Sequence, residues 1–150
     1  MTDRIETLVI LADGVQARGL AEHRRHGPLA ELASWSLKAD EHDRHWARRH
    51  GGTVNDRMGY GRDNVLEAPP AEAAEKRFLE GVAERINRSA AAGEFEKLVL
   101  MAPPRALGVL RHALKPAVSR RIEVTDDHER IKASAEDVRL ILRDLRIPER

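Results

Sequence analysis

Leu8-Val-Ile-Leu-Ala-Asp-Gly-Val-Gln-Ala-Arg-Gly-Leu-Ala-Glu22 is the stretch whose reading decides the fold. Its first five residues, Leu8 to Ala12, form an unbroken apolar run, as in a strand covered on both faces. Asp13-Gly14 then separates two apolar stretches, the strongest short signal for a hairpin. Val15 to Glu22 is the expected return strand. A polar turn, His23 to Gly27, leads to a third segment, Leu29 to Leu37. There Ala33, Trp35 and Leu37 alternate with Ser34 and Ser36, which predicts one buried and one wet face. Three antiparallel strands therefore open the chain.

Further along, the hydrophobic period changes. Behind Pro69-Pro70, Ala71 to Ala92 reads as a helix with Ala74, Phe78, Val82 and Ile86 on one face and Gly93 as its stop. Lys97 to Ala102 is a second buried strand. Pro103-Pro104 opens a helix with the stripe Leu107, Leu110 and Leu114, closed by Pro116. Leu107-Gly108 is expected to allow close helix–sheet packing. Arg121 to Thr125 reads as an edge strand, Ser134 to Asp137 as a helix cap, and Val138, Ile141, Leu142 and Leu145 as the buried stripe of the last helix. The order β-β-β, long loop, α-β-α-β-α predicts one α/β domain over residues 1–150. Its sheet is mixed and five-stranded with a ribonuclease-H-like arrangement, and its crossovers are expected to be right-handed.

Composition narrows the chemistry. Lys and Arg number 26 against 25 Asp and Glu, so net charge is +1 and any attraction for a polyanion must be local. Aromatics at 3% argue against a stacking platform for single-stranded bases. The absence of cysteine excludes disulfides and thiolate metal sites and fits a reducing compartment. The apolar run near the N-terminus is shorter than a signal peptide requires, and no run approaches a membrane span. The expectation is a soluble, cytoplasmic protein without membrane insertion.

Residues 38–70 have no hydrophobic period and are too long for an ordinary connection. Within them Arg44, Arg48, Arg49, Arg57 and Arg62, with His45 and His50, could pair with phosphates. Gly51-Gly52 would let a ligand approach the backbone closely. The competing reading is a solvated loop whose Asp40, Glu41, Asp43, Asp56 and Asp63 cancel much of that charge. A metal site on His42, Asp43, His45 and His50 is opposed by the neighbouring arginines and matches no zinc spacing. Two-metal hydrolysis needs converging carboxylates. Asp13 is better used in the turn, and the strand ending at Ala102-Pro103-Pro104 offers no acid. Pro103-Pro104-Arg105 follows a buried strand, where α/β sheets bind ligands, but prolines supply no amide donors. No phosphate-binding loop, dinucleotide fingerprint or nucleophile elbow occurs, so the sequence implies no cofactor.

The turn Leu-Ala-Asp13-Gly14, the pair Arg77-Phe78, and Leu98-Val-Leu-Met-Ala-Pro103-Pro104-Arg105-Ala-Leu107-Gly108-Val-Leu-Arg111 resemble the bacterial host-attachment protein family over nearly the whole chain. Asp56-Arg57-Met-Gly-Tyr-Gly-Arg62 is similar to that family's loop motif, with Met58 where Pro is usual. The resemblance implies a role in attachment of bacteria to host cells. It also implies a fold like the central domain of archaeal and eukaryotic peptide-chain release factors, whose corresponding loop carries a basic segment and Gly-Gly-Gln. Here Arg48-Arg49-His50-Gly51-Gly52-Thr53 stands at that place, with Thr53 instead of Gln.

Three readings follow. In the first, the domain binds structured RNA, such as the ribosome, through Arg44, Arg48, Arg49, His50, Arg57 and Arg62. In the second, it affects attachment through a protein partner. In the third, it hydrolyses peptidyl-tRNA or another ester, with Gly51, Gly52 and Thr53 positioning water.

Overall fold

The computed structural model describes residues 4–39 and 70–147. Its strands are β1 (Ile5–Ala12), β2 (Gln16–Glu22), β3 (Leu29–Lys38), β4 (Phe95–Met101) and β5 (Ile122–Asp126). The helices are α1 (Pro70–Ala91), α2 (Pro104–Ala113), the short α3 (Pro116–Ser119) and α4 (Ala135–Leu145). The five strands form one mixed sheet in the order β3-β2-β1-β4-β5, as the sequence predicts. β1 pairs antiparallel with β2 and parallel with β4, β2 is antiparallel to β3, and β4 is parallel to β5.

The apolar run of β1 follows from its central place. Leu8, Ile10 and Ala12 point to one face with Leu98 and Leu100, beneath Leu79, Val82 and Ile86 of α1 and Leu107 and Leu110 of α2. Val9 and Leu11 point to the other face with Val99 and Met101, beneath Val138 and Leu142 of α4. A strand buried on both faces cannot alternate polar and apolar residues. The helical stripes expected on α1 and α2 lie where predicted, and β5 is an edge strand. Gly93 ends α1 at φ 74°, with Gly93 N–H donating to Ala90 O and Glu94 N–H to Ser89 O. The Ser134 hydroxyl accepts from Asp137 N–H at 3.0 Å and caps α4. Among the described residues no helix is long and apolar enough to cross a membrane.

The hairpin forms as expected with Asp13 in its turn: the Asp13 carboxylate accepts from Val15 N–H and Gln16 N–H at 2.8 and 2.9 Å, closing a side-chain-capped turn. Three local expectations need correction. β3 has the expected wet face at Ser34 and Ser36 with Trp35 and Leu37 inward, but Ala33 does not join the buried side. Leu29 belongs to the α4 side, whereas Leu32, Trp35 and Leu37 belong to the α1 side. The register breaks between Ala17↔Leu37 and Gly19↔Leu32, and the extra β3 residues reverse its faces, leaving Ala33 exposed. Pro116 does not only close α2; it opens α3, whose Val118 is buried.

The third correction concerns Gly108. It is exposed, and among the described residues a Cβ there would meet nothing within 4 Å, so it gives no close helix–sheet packing. Gly81 on α1 is equally open. Gly81→Ala and Gly108→Ala should each therefore stabilise the protein by about 0.5–1 kcal/mol. Urea denaturation should give a higher midpoint at unchanged slope, whereas a lower midpoint would show that the helix needs the glycine.

Candidate functional site

Because β1, β3, β4 and β5 all run the same way, their C-terminal ends share one edge of the sheet. In open α/β sheets ligands bind in the crevice at this edge, where the chain departs in opposite directions from neighbouring strands. Here the departure lies between β1, which turns back into β2, and β4, which leads through α2 to β5. The Asp13 turn rises from β1, and Ala102-Pro103-Pro104 rises from β4. α1 starts beside them: Glu75 lies against Gly14, and Glu72 pairs with Arg105.

Residues 40–69 leave from and return to this edge. Lys38 pairs with Gln16, and Ala39 N–H donates to Val15 O at 2.7 Å, just behind the Asp13 turn. The chain re-enters at Pro70, the first residue of α1. Arg44, Arg48, Arg49, His50, Gly51, Gly52, Thr53, Arg57 and Arg62 lie outside the described residues.

The other singled-out residues divide between structure and surface. Asp13 makes the turn. Phe78 packs against the core while Arg77 beside it is exposed on α1. Pro103 precedes α2 and offers its carbonyl to Leu107 N–H. Arg105 is paired with Glu72 and is not simply in solvent. Leu107 is core, whereas Gly108 and Arg111 face outward.

One polar cluster at this edge escaped the sequence reading. At the end of β5, the buried Asp126 carboxylate receives Arg130 Nε–H at 2.8 Å on one oxygen and faces His128 Nδ1 at 2.7 Å on the other. Burial opposes the charge on Asp126, but the Arg130 and His128 contacts outweigh it and hold the carboxyl below its ordinary value. His128 is largely exposed. The arrangement is that of an imidazole fixed by a carboxylate, but no hydroxyl among the described residues hydrogen-bonds to it, so it assigns no nucleophilic step. Asp126, Asp127 and His128 could each turn one donor atom to a cation, with all three within 4.8 Å of one another. Arg130 already neutralises Asp126, which opposes a metal there. The spacing Asp-Asp-His-x-Arg was visible in the sequence, but it reads as a solvated turn until Asp126 is known to be buried.

A second cluster sits at the opposite edge. Glu22 receives both terminal nitrogens of Arg146 at 2.8 Å and the backbone N–H of His26 at 2.9 Å. Arg146 also reaches Glu123, which pairs with Arg25. It ties the end of α4 to β2 and β5, a structural role.

A family model described as "Protein required for attachment to host cells" matches residues 8–142. No curated protein matches the chain. A crystal structure of the archaeal translation termination factor aRF1 is similar at 16% identity and a TM-score of 0.48, over 92% of this chain and 37% of that one. The chain thus spans little more than a third of that protein's length.

Proposed function

The chain belongs to the family of proteins required for attachment to host cells, and we propose that its molecular role is that of a cytoplasmic module that binds structured RNA, the ribosome being the main candidate partner. The observation that carries this reading is where residues 40–69 are rooted. Ala39 and Pro70, the described residues on either side of the arginine-bearing segment, both lie at the edge where open α/β sheets bind ligands, which supports this reading. Arg48, Arg49, Arg57 and Arg62 would pair with phosphates, and Gly51-Gly52 would allow the close approach. With a net charge of only +1, such binding depends on this local concentration of cations. An effect on attachment would then be indirect. The family description also favours a second reading, action through a protein partner.

Arg48→Glu combined with Arg49→Glu should weaken binding to purified ribosomes by roughly 10- to 100-fold at about 0.1 M salt. The slope of log affinity against log salt should fall by about 1.4–2, the share of two phosphate contacts. Equal binding by wild type and variant, or none by either, would refute the reading.

A further inference from the structure

From Lys97 to Ile122 the chain contains no Asp or Glu, although acids make up 25 of its 150 residues. The run covers β4 from Lys97 onward, α2 and α3. The C-terminal part of β4 is buried, so the exposed charge of the run falls mainly on the outer side of α2 and the α3 corner, where Arg105, Arg111, His112, Lys115 and Arg120 are exposed. Arg121 is engaged, donating to Phe95 O at 2.9 Å, and Arg105 pairs with Glu72. Among the described residues Arg111, Lys115 and Arg120 have no ion-pair partner. A helix C-terminus attracts cations, which accounts for Arg111 and His112, but not for Lys115 and Arg120 beyond it.

Gly108 lies on the same outward face, three residues after Arg105 and three before Arg111. It lowers helix stability, and among the described residues nothing packs on it. The result is a strip of bare helix backbone flanked by cations. The corner is also fixed in place. Asn87 of α1 donates from Nδ2 to Ala113 O at 3.3 Å and accepts from Lys115 N–H at 3.0 Å, so the cations sit on a rigid support.

We propose that the outer face of α2 and the α3 corner form a second docking surface, for an RNA sugar–phosphate backbone. Arg111, Lys115 and Arg120 contact phosphates, and Gly108 admits the backbone close to the helix. A run of cations without a single acid complements the polyanionic sugar–phosphate backbone. The inference rests on the RNA reading above but uses different residues, so the two can fail separately.

The test measures binding of a synthetic RNA stem-loop to the full chain and to three variants: R111E/K115E/R120E, Gly108→Leu, and R48E/R49E. The triple variant should bind at least about tenfold more weakly, with a salt slope lower by about 2–3. Leu is a better helix former than Gly, so Gly108→Leu should keep or raise the melting temperature while weakening RNA binding roughly threefold or more. If both α2 variants bind like wild type and only R48E/R49E fails, the second surface is wrong and the loop reading stands. If wild type itself does not bind RNA, both fall. If wild type binds phosphatidylserine vesicles and the stem-loop does not compete, the face serves a membrane and the proposal is overturned.

Discussion

Replacing Glu22 by Ala is expected to destabilise the protein by about 3 kcal/mol, because it leaves a buried guanidinium with Glu123 as its one remaining carboxylate. Glu22 is 1% exposed and Arg146 6%, which makes this pair, with two bonds at 2.8 Å, the most buried charge pair among the described residues. The pair joins β2 to the end of α4, so its loss should also loosen the helix that covers one face of the sheet. Glu22→Gln keeps the shape and should cost less. The effect has a pH signature. Burial alone would raise the Glu22 carboxyl, but Arg146 and the His26 amide more than offset it, so the group sits below its ordinary value, as does Glu123. A carboxyl depressed in the folded state stabilises it above the unfolded value, about 4.3, and loses that contribution as pH falls through the folded value. Urea midpoints should thus fall from about pH 4 downward in wild type, and less steeply in Glu22→Gln. A flat difference between the two proteins across that range would contradict the assignment.

Gly19→Ala should destabilise by about 2–3 kcal/mol, although Ala is ordinarily no worse than Gly in a strand. The added Cβ would lie 2.5 Å from Trp35 Cβ and 2.7 Å from its Cγ. Trp35 Cβ is fixed to the β3 backbone and cannot swing aside. The Trp35 ring is itself held, 4% exposed, with the Arg85 guanidinium 4.2 Å from its centroid. Gly14 offers the contrast: there the added Cβ meets only the far end of the Glu75 side chain, which can move. Trp35→Ala alone should cost about 3–5 kcal/mol. If the contact is the cause, the double variant should be less damaged than the sum of the two by more than about 1 kcal/mol. Strict additivity in thermal or urea unfolding would show that Gly19 is needed for another reason.

These two results mark where the sequence stops being readable. β1, α1 and α2 declare themselves because their apolar spacing is local and each buries a whole face. β3 does so only in part, because its two faces exchange around a register break beside which Trp35 packs on Gly19 of the next strand. Glu22 and Arg146 are 124 positions apart, and no local pattern links them. Asp126, His128 and Arg130 are close in sequence, yet only the burial of Asp126 at the end of β5 distinguishes them from an ordinary charged turn. Gly108 and Arg111 were visible as part of a motif. Their outward direction follows from the helical phase that buries Leu107, Leu110 and Leu114.

RNA association is the central claim, and sucrose-gradient fractionation of native lysate, with and without nuclease, tests it most directly. Co-migration with ribosomal subunits that disappears after nuclease, and is lost in the Arg48→Glu/Arg49→Glu variant, is the expected result. Migration only at the top of the gradient, or co-migration that survives nuclease and the double substitution, would contradict it.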